Sequence, residues 1–169
     1  MNLSPEIKKQ YFNTPQMEAM YIAANTTVIV GGRRLGKSHG FGAPFLLRNM
    51  KHMPGSSGGV VGTSYQQLLT RTLPGTLNAL RQWNIQRDVH YYIGRKPPLS
   101  ANFKEPVIPP ASYDNSVIFW NGTILRLISQ DRPGTSNSLT LDWGLFDEAK
   151  FLNFDKLKDE TFPAMGGYS

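Results

Sequence analysis

Eight consecutive residues of this chain have the types and spacing to cradle a phosphate. Positions 31–38 read Gly-Gly-Arg-Arg-Leu-Gly-Lys-Ser, the pattern G-x-x-x-x-G-K-[ST] of a phosphate-binding loop, or P-loop. Gly31, Gly32 and Gly36 allow the backbone to curl so that its N–H groups point inward at an anion, with Arg33, Arg34 and Leu35 completing the cradle. A helix opening at Lys37 adds its positive end. In such a loop Lys37 reaches the β- and γ-phosphates and the Ser38 hydroxyl holds Mg²⁺. The alternative is a glycine-rich turn with an exposed lysine. The β-branched run Thr26-Thr27-Val28-Ile29-Val30 just before the loop argues against it, because the motif requires strand, loop and helix in that order.

A second segment could supply carboxylates to the same site. Leu141 to Ala149 reads Leu-Asp-Trp-Gly-Leu-Phe-Asp-Glu-Ala, an apolar strand ending in Asp-Glu, as in a Walker B motif. Asp147 at the C-terminal end of that strand would hold Mg²⁺ through water, opposite Ser38, where α/β sheets bind ligands. Glu148 would polarise the attacking water, the two neighbours pointing in different directions. Asp142, near the start of the run, ranks second. Apolar-Asp-Glu is common on its own and gains meaning from the P-loop upstream.

These motifs need elements to position them. Ser4-Pro5-Glu6 reads as an N-cap, a first-turn proline and an acidic first turn, predicting a short helix to about Tyr11. Thr14-Pro15-Gln16 opens a second helix to about Ala24. A strand over 26–30, the loop and a helix from Lys37 to about Met50 follow. Gly59 to Gly62 is a short buried strand. Ser64 to Arg71 and Thr76 to Trp83 are helical, separated by Leu73-Pro74-Gly75. Asp88 to Ile93 alternates weakly, in the manner of a strand, and the proline-rich 95–115 is an extended loop. Asn121-Gly122 between Val117-Ile118-Phe119-Trp120 and Thr123 to Ile128 is a strong hairpin signal. The order β-α-β-α, hairpin, strand predicts an α/β fold with a mainly parallel sheet flanked by helices.

The chain has 169 residues and 16 glycines, enough for one domain with a sizeable core. The absence of cysteine excludes disulfides and thiolate metal sites. No apolar run approaches a membrane span, so no membrane partner is expected. The net charge of +6 suits a polyanion such as nucleic acid, although Arg33, Arg34 and Lys37 carry part of it within the loop. A merely soluble basic domain fits the charge equally well.

Taken together, four segments resemble the ATPase domain of large terminase subunits, the DNA-packaging motors of tailed bacteriophages and related viruses. They are the arginine-containing loop at 31–38, the hairpin Trp120-Asn121-Gly122-Thr123-Ile124-Leu125, Phe146-Asp147-Glu148-Ala149, and Asn13-Thr14-Pro15-Gln16, which is similar to an upstream adenine-binding segment. The resemblance implies a P-loop NTPase of the additional-strand type with a β-hairpin before Walker B. It implies ATP and Mg²⁺ as ligands, and hydrolysis coupled to translocation of double-stranded DNA. By the same resemblance Arg33 is a cis arginine finger for the γ-phosphate, with Arg34 the alternative or a salt-bridge partner. Glu148 and Lys37 join Arg33 as catalytic groups. Gln16 reads the adenine edge, unless it is a first-turn surface residue, and Tyr11 or Phe12 could stack on the base. Double-stranded DNA, a homo-oligomeric ring, a portal and a small terminase subunit are the implied partners, at the viral procapsid in the host cytoplasm. Lys96, Lys104 and Arg126 are candidates for DNA contact or simply a solvated face. The additional strand would lie just beyond Pro163 to Gly167. The expectation is therefore a single partial ATPase domain over 1–169, without a nuclease domain. The alternatives are another P-loop DNA motor, helicase-like, and a non-hydrolysing nucleotide-binding assembly module.

Overall fold

The computed structural model describes residues 11–32, 36–132 and 139–166. The helix expected over 4–11 lies outside them, apart from Tyr11. The first element, α1, spans Thr14–Ile22. Asn13 caps it: its side chain accepts the Gln16 N–H at 3.0 Å, and the Gln16 Oε1 accepts the Asn13 N–H at 3.0 Å. This reciprocal capping box satisfies two of the donors that a helix start leaves open. Ala23 ends the helix in a left-handed conformation, and Arg48 holds its carbonyl at 2.8 Å.

A five-stranded sheet forms the centre, in the order β2-β3-β4-β1-β5. Its members are β1 (Ser57–Gly62), β2 (Tyr91–Ile93), β3 (Ser116–Phe119), β4 (Ile124–Ser129) and β5 (Trp143–Phe146). β1 runs parallel to β4 and β5. β2 with β3 and β3 with β4 are antiparallel. The sheet is therefore mixed rather than mainly parallel. Two of the four pairings, β2–β3 and the β3–β4 hairpin, are antiparallel. Its turn carries Trp120 and Asn121 at the centre and Gly122 at φ +86°. A β-carbon on Gly122 would lie 2.7 Å from the Glu105 carbonyl oxygen, so both conformation and space require glycine there.

The strand expected over 26–30 does not form. Residues 23–32 carry no helix or strand, and Val28 and Val30 are 83% and 91% exposed. β-branched residues favour a pleated surface only where a neighbour supplies the ladder and the packing. No described strand lies beside this segment.

The helices differ from the sequence reading at the prolines. Tyr65 to Gln82 is one continuous helix, not two: α3 (Tyr65–Gln67), a wide turn over Leu68–Thr72, and α4 (Leu73–Gln82). The Leu73 N–H bonds the Leu68 carbonyl five residues back. Pro74 follows at once. A proline has no N–H to give and crowds the carbonyl four residues earlier, and a widened turn relieves both faults without ending the helix. The same device recurs in the helix that begins at Lys37. There a wide turn over Ser38–Gly42 precedes Pro44 in α2 (Ala43–His52). A third instance, Leu157–Thr161 before Pro163, joins α5 (Phe154–Lys156) to α6 (Phe162–Ala164).

α2 and α4 cover one face of the sheet. Ala43, Leu46, Asn49 and Met50 form the buried stripe of α2, and Leu73, Thr76, Ala79 and Leu80 that of α4, both at the helical repeat. They meet Val60, Val117, Phe119, Leu125, Leu127 and Trp143. Gly58 makes room for the indole of Trp143, whose ring would lie 2.2 Å from a β-carbon there, and the indole N–H donates to Ser56 Oγ at 3.0 Å. The opposite face is thinner, with Val61, Ile128, Leu141 and Leu157 at its centre.

Candidate nucleotide site

The helix after the loop runs antiparallel to β5. A β-carbon on Gly42 would lie 3.8 Å from Leu145 Cδ1, and Phe45 packs edge-on against Trp143 at 5.8 Å. One helical turn back from Gly42 is Ser38, and two residues on from Leu145 is Asp147. The two expected metal-side residues thus project toward the same end of the sheet, where the parallel strands finish.

The local backbone divides Asp147 from Glu148. The Asp147 N–H still donates to the Val61 carbonyl at 3.0 Å, extending the ladder by one residue. Glu148 then turns into the left-handed region, at φ 49° and ψ 45°, and is exposed. A glutamate there costs energy that a glycine would not. Asp147 is half-buried, and the Thr72 hydroxyl donates to its Oδ2. Thr72 belongs to the wide turn that Pro74 demands, so the proline and the Asp147 partner are linked by chain geometry.

The same helix supports the loop. A β-carbon on Gly75 would sit 2.8 Å from Ser38 Oγ. The Lys37 ammonium donates to the Gly31 carbonyl at 3.0 Å and the Gly32 carbonyl at 3.4 Å, spanning the loop. Arg33, Arg34 and Leu35 lie outside the described residues. Gln16 is buried, with its Oε1 in the capping box, and its side chain lies against Gly36 and Gly40. Neither Thr72 nor Gly75 was legible as a site residue in the sequence, since nothing there signals one continuous helix passing beside Ser38 and Asp147.

The other candidates are placed as follows. Asp142 stands at the opposite end of β5, where its carboxylate accepts the Ser57 N–H at 2.7 Å. That fixes strand register, far from Asp147. Phe12 stacks on His39 at 5.7 Å, and His39 meets Trp83 at 5.4 Å. Tyr11 is exposed. Lys96 and Lys104 are exposed. Arg126 on β4 is half-buried and donates to the Ser112 carbonyl at 3.4 Å, and burial lowers its pKa.

The donor set fits Mg²⁺. Ser38 offers a hydroxyl and Asp147 a carboxylate, both hard oxygens. Mg²⁺ takes one or two protein oxygens and fills the rest of its octahedron with water and phosphate. No cluster of three or more His, Cys, Asp or Glu suited to a metal occurs among the described residues. No described helix is long and apolar enough to cross a membrane.

No protein-family model and no curated protein matches the chain. Among solved structures it is similar to the large terminase ATPase domain of Thermus phage P74-26, at 19% identity and a TM-score of 0.48 over 81% of this chain. An arginine-to-alanine variant of that domain matches at 20% identity, with the same TM-score and coverage. In both cases the match takes in 54% of the other chain, so this chain spans about half the length of the structures it matches.

Proposed function

We propose that this chain is the ATP-binding and ATP-hydrolysing part of a viral DNA-packaging motor of the terminase type. One observation carries the nucleotide reading. The antiparallel run of the loop helix along β5 aims Ser38 and Asp147 at the same end of the sheet. The four sequence segments that resemble the terminase ATPase supply the rest, including double-stranded DNA as the translocated substrate.

On this reading the residues divide the work as follows. Lys37 leaves the carbonyls of Gly31 and Gly32 for phosphate oxygens, a stronger charge-assisted bond. Ser38 and Asp147 would hold Mg²⁺, which would supply charge neutralisation at the phosphates. Thr72 donates to one oxygen of the Asp147 carboxylate and would leave the other for a metal ligand role. Glu148, carried away from the ladder by its left-handed backbone, orients the attacking water. Arg33, which lies outside the described residues, would by the terminase resemblance stabilise the charge that develops on the γ-phosphate, and fingers of this kind contribute roughly 10³–10⁵ in rate.

Glu148 is exposed, and Val28 and Val30 lie uncovered beside the loop. These observations favour a chain that binds nucleotide alone and hydrolyses it efficiently only when a neighbour covers the site, because catalysis in phosphoryl transfer rests on preorganised charge. ATP turnover, measured with and without double-stranded DNA, tests the whole reading. DNA-stimulated hydrolysis that Lys37→Ala abolishes is the expected result in an assembled motor. An assembled motor that turns over ATP equally well with and without DNA would refute the coupling.

A further inference from the structure

A groove of about 710 Å³ opens at the end of the sheet opposite to Asp147. Its walls come from the C-terminal end of α2, the β3–β4 turn and the segment after α4, and they include Lys51, Trp83, Asn84, His90, Trp120 and Asn121. None of these belongs to the nucleotide site. The described lining offers two indoles, an imidazole, an ammonium and two amides, and no carboxylate.

We propose that this groove binds single-stranded DNA, with a base stacked on Trp120 and the adjoining phosphate on Lys51. Trp120 is built as a platform. It is 38% exposed, yet its ring is braced edge-on by His90 at 5.7 Å and Phe119 at 6.3 Å. The backbone beneath it is fixed too: the Trp120 backbone N–H donates to the His90 carbonyl at 3.0 Å, and the Trp120 carbonyl accepts the Lys104 backbone N–H at 3.1 Å. An indole already immobilised loses little entropy when a base covers it. His90 Nδ1 accepts the Gln86 N–H at 3.0 Å, which leaves the neutral ring a donor at Nε2.

The described groove lining carries one cation, Lys51, and no carboxylate, which suits a phosphodiester. Lys51 and His52 are exposed at the end of α2. The nearby carboxylate of Asp88 is held by Arg95 at 2.7 Å and Arg87 at 3.7 Å, leaving that trio net positive. The Asn121 amide is committed to the fold: it donates to the Met50 carbonyl at 2.8 Å and accepts the Thr123 N–H at 3.1 Å. Aromatic platforms beside cations, with few amides spared for base edges, make a sequence-tolerant single-strand site. The volume is that of a small-molecule pocket, roughly 300–1,000 Å³. It admits one or two unstacked nucleotides, whereas the bases of a duplex are closed within its stack.

The test is fluorescence anisotropy of the 169-residue chain with a labelled oligothymidylate of about ten nucleotides. Trp120→Ala is expected to weaken binding roughly 5- to 150-fold, the span for loss of one stacked base. Trp120→Phe, which keeps a stacking face, should recover most of that loss. Lys51→Ala should weaken binding and reduce the slope of log affinity against log salt by about 0.7. Lys37→Ala should leave oligonucleotide affinity unchanged, which separates this site from the P-loop. A Trp120→Ala loss of affinity for a duplex of the same length that equals its loss for the oligothymidylate, or Trp120→Ala and Lys51→Ala variants that bind the oligothymidylate normally, would overturn the proposal. So would a loss in Lys37→Ala matching that of Lys51→Ala.

Discussion

Gln16 lies so close to Gly40 that a β-carbon on the glycine would sit 2.2 Å from the glutamine Cδ. Gln16 also closes the capping box of α1 through Asn13. The start of α1 is thereby wedged against the helix that follows the P-loop, and one small residue permits the contact.

Gly40→Ala should therefore displace Gln16, and the side chain cannot yield without opening its cap. The expected cost is about 1–3 kcal/mol, the usual scale for overpacking. In a Gln16→Ala background the same substitution should cost much less, because its obstacle is gone. Thermal unfolding of the four proteins measures the cycle. Full additivity would mean that the contact has no energetic weight.

Lys37→Ala should lower ATP affinity by about 1.5–3 kcal/mol, the worth of a hydrogen bond to a charged group. Calorimetry reads this directly. Lys37 is exposed and bonded to backbone carbonyls, so the melting temperature should hardly change. Unaltered ATP binding would remove the P-loop from the nucleotide site.

Thr72→Val keeps shape and removes the hydroxyl that donates to Asp147. The Mg²⁺ concentration needed for nucleotide binding should rise roughly 10- to 100-fold, as is typical when an outer-shell partner of a metal ligand is lost. Asp147→Asn should shift the requirement further in the same direction. If both variants titrate with Mg²⁺ like the parent, Asp147 is not a metal residue.

Glu148→Gln and Glu148→Gly separate chemistry from strain. Glu148→Gln should bind ATP normally and turn it over far more slowly in an assembled motor. Glu148→Gly should also be slow, yet fold more stably, by about 1 kcal/mol, because glycine accepts φ 49° at no steric cost. Normal turnover in Glu148→Gln would exclude a role in orienting water.

Much of the architecture was written locally, in residue types whose preference does not depend on distant partners. The helix start at Thr14-Pro15-Gln16, whose cap proves to be Asn13 one residue earlier, the β-rich runs flanking Asn121-Gly122 and the apolar run ending at Asp147 each named an element that the structure contains. The order and spacing of the loop and the Asp-Glu pair likewise come from sequence alone. Tertiary structure decided the rest. Thr26 to Val30 has every mark of a strand, yet a strand exists only where a neighbour completes its hydrogen bonds, and no described neighbour does. Leu73-Pro74-Gly75 reads as a break, yet the helix continues, because a widened turn absorbs the proline while Leu68, Leu73 and Leu80 are buried against the sheet. That continuity brings Thr72 to Asp147 and Gly75 to Ser38, contacts between residues up to 75 positions apart. Local pattern states what a segment prefers. Long-range packing determines which of those preferences finds a partner.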